Sequence, residues 1–131
     1  MLDHTPCPPK NDKYPSLCGK RILVVEDDAV IAVDYYFQLR EVGAEARACE
    51  ATNKAALDYL ATHDIDAAIV DYCLRDGTCE RVLQSLESRD IPFVVVSGCT
   101  FEMPRNLDSP HVLSKPVTAT DLWRALAEVL R

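Results

Sequence analysis

The chain has 131 residues, 48% of them apolar and 27% charged, the size and balance of one globular domain with a sizeable core. Its formal net charge of −7 argues against direct nucleic-acid binding, and no stretch approaches the roughly 20 apolar residues that span a bilayer. The start, Met1-Leu2-Asp3-His4, lacks the basic and apolar regions of a signal peptide, so a cytoplasmic protein without membrane insertion is expected.

Residues 1–19 read as a tail. They hold Pro6, Pro8, Pro9 and Pro15 and show no apolar period, so little surface is available there to offset the entropy of ordering. The domain is expected over residues 20–131. Arg21-Ile22-Leu23-Val24-Val25 is a strand, apolar on both faces as in a buried parallel sheet. Glu26-Asp27-Asp28 follows it, with Asp28 placed to cap a helix that runs from about Ala29 to Val42 and stops at Gly43. Ile31, Tyr35, Leu39 and Val42 form one stripe of that helix and should face the sheet. Val30, Val33 and Phe37 form a second stripe, more apolar surface than one sheet contact needs.

Glu45 to Cys49 is a weaker second strand. A helix from about Asn53 to Thr62 follows, capped by Thr52 or Asn53. Ala67 to Val70 is a short apolar run ending at Asp71, and Asp76-Gly77 supplies a turn into a helix from Thr78 to about Ser88. Ile91 to Val96 is the fourth strand, ending at Ser97-Gly98. His111-Val112-Leu113 is a short fifth strand before Lys115-Pro116. A last helix, capped by Thr118 or Thr120, carries Leu122, Leu126 and Val129 inward. Strand and helix alternate five times, which predicts a parallel sheet with helices on both faces. Between Ser97 and His111 only residues 98–110 remain, with Pro104 and Pro110 among them. A parallel crossover itself takes about a dozen residues, so the fourth helix should be short or missing.

Ligands of an open parallel sheet bind beyond the carboxyl ends of its strands. That edge collects Glu26, Asp27, Asp71, Ser97 and Lys115. Clustered carboxylates raise one another's pKa unless a cation joins them. Magnesium, or manganese, is the hard cation that oxygen ligands select. With the cluster neutralised, a carboxylate can attack phosphorus to form an acyl phosphate, while the hydroxyl and the lysine hold phosphoryl oxygens. The six cysteines (Cys7, Cys18, Cys49, Cys73, Cys79 and Cys99) form no Cys-x-x-Cys pair, so neither a zinc site nor a disulfide framework is expected.

Four segments carry a resemblance: Val24-Val25-Glu26-Asp27-Asp28, Asp71 to Gly77, Ser97-Gly98 and Lys115-Pro116. Over residues 20–131 the chain resembles the receiver domains of two-component response regulators. The resemblance implies a flavodoxin-like fold with strand order 2-1-3-4-5. It implies phosphorylation of Asp71 by a histidine kinase or a histidine phosphotransfer protein. Asp27 would be a direct Mg²⁺ ligand and Glu26 one acting through water, with Asp71 and the backbone carbonyl of Cys73 completing the set. Lys115 would pair with the phosphoryl group, Ser97 and Gly98 would move toward it, and the Lys115–Pro116 bond would be cis.

The departures are specific. Val112 stands where the family usually has a switch aromatic, Arg75 where a proline is common, and Ser97 where threonine is more frequent. The segments around Ser97 and Lys115 are similar to an alphaproteobacterial group of single-domain receivers with a reduced fourth helix, in which an aromatic often follows the Ser/Thr-Gly pair; here that place is Cys99. A movement of the 98–110 loop is the expected substitute for the aromatic switch. Output is expected through another protein. Val30, Val33 and Phe37, extended by Trp123 on the outer side of the last helix, form the expected partner or homodimer surface on the first and fifth helices. A phosphorylation-independent binding module and a phosphate sink or carrier are the alternative functions. A dehalogenase-type hydrolase does not match, because its nucleophile follows the first strand. A flavodoxin needs a phosphate-cradling loop where this chain has three acids.

Overall fold

The computed structural model describes residues 11–98 and 112–130. A five-stranded parallel sheet forms the centre, built from β1 (Arg21–Val25), β2 (Glu45–Glu50), β3 (Ala67–Asp71), β6 (Phe93–Ser97) and β7 (Val112–Ser114). Their order is β2-β1-β3-β6-β7, the 2-1-3-4-5 order expected from the sequence. The helices are α1 (Ala29–Glu41), α2 (Asn53–Thr62), α3 (Glu80–Ser88) and α4 (Ala119–Val129), and α4 is the expected fifth helix. The short or missing fourth helix, and all of the expected moving loop but Gly98, fall within 99–111, outside the described residues.

Alternation along each strand splits the core into two layers, because successive side chains point to opposite faces. Ile22, Val24, Ile69, Val94 and Val96 pack with Tyr35 and Leu39 of α1 and Leu122 and Leu126 of α4. Leu23, Val25, Val70 and Val95 pack with Ala56 and Leu60 of α2 and Val82, Leu83 and Leu86 of α3. Two-sided burial accounts for the uninterrupted apolar runs of β1, β3 and β6. Asp28 caps α1 by accepting from the Val30 and Ile31 N–H groups. Gly43 takes the left-handed conformation that ends α1 (φ 80°). Among the described residues no helix is long and apolar enough to cross a membrane.

Three features differ from the sequence expectation. Residues 11–19, expected as part of a weakly ordered tail, pack onto the domain. Pro15–Leu17 is a 3-10 turn, Leu17 is fully buried, and the N–H groups of Asn11 and Gly19 donate to the carbonyls of Glu41 and Gly43 at 2.9 and 2.8 Å. Leu17 and Tyr14 both find places in the α1–α4 layer, which docks a segment that has no apolar period. Second, Trp123 is core rather than outer surface. It is 5% exposed, its ring stands 5.9 Å from that of Tyr14, and its indole N–H donates to the carbonyl of Gln38 at 2.9 Å. Third, the stretch after Asp71 is a two-stranded antiparallel hairpin, β4 (Cys73–Leu74) and β5 (Gly77–Thr78), so α3 starts at Glu80.

Candidate functional site

Every residue of the expected constellation stands at the carboxyl edge of the sheet. Glu26 and Asp27 follow β1, Asp71 ends β3, Ser97 ends β6 and Lys115 follows β7. The strands are in register there: Val25 lies opposite Val70, Asp71 opposite Val96, and Ser97 opposite Ser114. The Lys115 N–H donates to the Ser97 carbonyl at 2.9 Å, which sets the two residues side by side. The Lys115–Pro116 bond is cis.

Glu26, Asp27 and Asp71 each offer a carboxylate oxygen, and these oxygens lie within 4.8 Å of one another. Glu26 and Asp71 are buried, 3% and 7% exposed. The Lys115 ammonium donates to Glu26 Oε1 at 3.0 Å and to Asp71 Oδ2 at 3.4 Å. Burial raises the Glu26 carboxyl above the ordinary range, the adjacent Asp71 carboxylate adds to that, and Lys115 opposes it. At Lys115 burial disfavours the charge, but its hydrogen bond to Glu26 and the charges of Asp71 and Glu26 outweigh this and raise its pKa. Both shifts combine burial with the close approach of Glu26, Asp71 and Lys115 to one another.

The donor set fits a hard divalent cation. It consists of carboxylate oxygens, partly buried and converging from two strand ends, with no thiolate or imidazole in the cluster among the described residues. Ser97 is buried (1% exposed). Beside it, among the described residues, a Cβ added at Gly98 would meet only the aliphatic stem of Lys115, at 3.9 Å. Cys73 sits on β4, two residues beyond Asp71, where the hairpin turns back toward α3.

The sequence reading did not reach two groups near this edge. Tyr35 was assigned to the core stripe of α1, and it is buried. It also lines a cavity of about 390 Å³ with Ile31, Gln38, Lys115, Pro116 and Val117. Burial pushes its phenol pKa up, as do the charges of Glu26 and Asp71. Asn53 was a candidate cap for α2, but Thr52 is the cap, and the Asn53 side chain turns inward toward the β4–β5 hairpin. The partners of Asn53 lie 23 to 29 positions away in sequence, so no local pattern signals them. Of the expected partner surface, Val30, Val33 and Phe37 are exposed at 73%, 52% and 61%, joined by Tyr36 at 43%. Trp123 does not join them.

No family model matches the chain, and no curated protein matches it. Solved structures do. SdrG from Sphingomonas melonis Fr1 is 33% identical, with 88% of this chain and 98% of that one covered and a TM-score of 0.76. The PhyR response regulator REC domain of Erythrobacter litoralis is 18% identical over 88% of this chain and 92% of that one, TM-score 0.77. A CheY-like response regulator receiver domain from Methylobacillus flagellatus is 24% identical over 85% and 98%, TM-score 0.73. The last two likenesses are of fold; the first extends to sequence over nearly the whole of both chains.

Proposed function

The chain belongs to the response-regulator receiver domains, and from that premise we propose that it accepts a phosphoryl group on Asp71 from a phosphohistidine donor. The donor would be a histidine kinase or a histidine phosphotransfer protein. The observation that carries this reading is the meeting of three carboxylates within 4.8 Å around an ammonium that already bridges two of them. A purely structural ion pair needs one acid, not three.

Glu26, Asp27, Asp71 and the Cys73 backbone carbonyl are the residues that would hold Mg²⁺ or Mn²⁺. When bound, the ion neutralises the acid cluster and draws charge from the phosphoryl oxygens. The rest is the chain's own work. An Asp71 carboxylate oxygen forms the new O–P bond as the donor's P–N bond breaks, and the leaving imidazole nitrogen takes up a proton. Lys115 pairs with a phosphoryl oxygen and exchanges one of its two present carboxylate partners for it. The Ser97 hydroxyl and the Gly98 main chain serve the remaining oxygens. The Val30, Val33 and Phe37 face of α1 is where the donor protein would dock, and a second copy of the chain is the competing occupant. Signal then passes by protein contact, or the phosphoryl group moves on in a relay.

The test is intact mass after incubation with Mg²⁺ and acetyl phosphate or a phosphorylated kinase. One phosphoryl adduct is expected in the wild type, none in Asp71→Asn, and none in EDTA. The absence of an adduct with every donor would leave a receiver-fold module that signals without phosphorylation.

A further inference from the structure

Asn53 is 1% exposed at the first position of α2, an unusual place to bury an amide unless its hydrogen bonds are met. They are met across three elements. Its Nδ2 donates to Asp76 Oδ1 at 3.2 Å and to the Thr78 carbonyl at 2.8 Å, and its Oδ1 accepts from the Val82 N–H at 3.3 Å. Its own backbone N–H donates to Asp76 Oδ1 at 2.8 Å, and that of Lys54 to Asp76 Oδ2 at 3.1 Å. Thr52 Oγ1 accepts from the Ala55 N–H at 3.0 Å and Asp76 takes the Asn53 and Lys54 N–H groups, so capping of α2 does not account for the bonds of the Asn53 side chain. What Asn53 and Asp76 join is α2, the β4–β5 hairpin and the first turn of α3. A hairpin with two residues in each strand is not stable alone. It needs anchors, and on its far side the Arg75 guanidinium reaches the Asp27 carbonyl at 3.4 Å.

That hairpin begins two residues after Asp71 and carries Cys73. We propose that Asn53, acting through Asp76 and Thr78, is a positioning residue for the metal site, holding the Cys73 main chain at its distance from Asp71. The inference rests on the receiver reading given above. It assigns a site role to a residue whose hydrogen bonds run to Asp76, Thr78 and Val82 rather than to the carboxylate cluster. Groups that orient metal ligands from behind commonly change affinity 10–100-fold when removed, and a loosened hairpin acts in the same way.

The experiment is calorimetric titration of the full chain with Mg²⁺ alone, for wild type, Asn53→Ala, Asp76→Ala, the double variant and Thr52→Ala. Asn53→Ala and Asp76→Ala are expected to weaken Mg²⁺ about tenfold. The double variant should be no weaker than the worse single, because the two act through one contact. Thr52→Ala removes a bond at the same helix end without touching the hairpin, so it should lower the melting temperature and leave Mg²⁺ affinity unchanged. Unchanged affinity in both Asn53→Ala and Asp76→Ala, or an equal loss in Thr52→Ala, would overturn the proposal. If Asn53→Ala does not fold, Asp76→Ala decides, since Asp76 is exposed. A wild type that neither binds Mg²⁺ nor forms an adduct on Asp71 would instead sink the receiver reading, and this inference with it.

Discussion

At the scale of single residues, the site is a local conflict that the fold tolerates. Glu26 and Asp71 are both buried, Asp27 lies within reach, and one ammonium serves the group from Lys115. Two like charges about 4 Å apart repel by about 4 kcal/mol at the effective dielectric of a partly buried site. Asp71 faces two such neighbours, Glu26 and Asp27, while its single Lys115 contact at 3.4 Å returns only about 5 kcal/mol on the same basis. Asp71→Asn should therefore raise the melting temperature in EDTA, by a stabilisation of about 1 kcal/mol or more, and the gain should shrink as Mg²⁺ is added. Lys115→Ala should do the opposite, lowering stability in EDTA and recovering part of it in Mg²⁺. Thermal unfolding with and without the metal checks both, and a destabilised Asp71→Asn in EDTA would refute the argument. That Asp71, Glu26, Asp27 and Lys115 would meet at one edge was legible in the sequence because a parallel sheet delivers its strand ends to one edge. Asn53 and Asp76 were not, because their value lies in a contact between distant parts of the chain.

At the scale of elements, α1 and α4 show where periodicity informs and where it does not. Of the stripe Ile31, Tyr35, Leu39 and Val42, the last three are buried as the spacing predicts while Ile31 is half-buried against the same layer, and the second stripe stays exposed. Trp123 is different. Its helical position points it outward only if nothing else arrives, and Tyr14 and Leu17 arrive from more than 100 positions earlier in the chain. The β4–β5 hairpin escaped for a related reason, since runs of two residues carry no period to detect. Consequences separate cleanly. Trp123→Ala should cost about 3–5 kcal/mol as a buried aromatic deletion, and Leu17→Ala about 2–5 kcal/mol. Phe37→Ala should stay within about 0.5 kcal/mol. The same Phe37→Ala should slow phosphorylation by a histidine kinase while leaving that by acetyl phosphate unchanged, because a small donor needs no docking surface. Urea unfolding and the two donor assays decide this, and equal slowing with both donors would show that Phe37 acts on the site itself.

At the scale of the whole molecule, the two edges of the sheet handle charge in opposite ways. The carboxyl edge keeps its acids short of counter-charge. At the amino edge Arg21 and Asp66 are paired one to one: the Arg21 backbone N–H donates to Asp66 Oδ2 at 2.7 Å, and its guanidinium donates to both oxygens at 3.1 and 3.2 Å. The side-chain hydrogen bond from Arg21 holds the Asp66 carboxyl below its ordinary range, against the cost of burial. Fold and proposed function divide along this line, since the amino edge joins β1 to the chain entering β3 while the carboxyl edge holds the acid cluster proposed to take a cation and a phosphoryl group. The amino edge gives the molecule an acid-sensitive element whose sign follows from linkage. Asp66 has a lower pKa folded than unfolded, so its contribution is complete above the ordinary aspartate value of about 3.9 and is lost as pH falls through the folded-state value. Asp66→Asn should therefore be less stable than wild type at pH 7, and the difference should close as the pH falls below about 3.9. Because the pair stands at the opposite end of the sheet from Asp71, Mg²⁺ should stabilise Asp66→Asn and wild type by equal amounts. Chemical denaturation across pH, repeated with and without the metal, reads both outcomes. A gap between wild type and Asp66→Asn that stays constant into acid would show that the Arg21 hydrogen bond does not depend on the Asp66 charge.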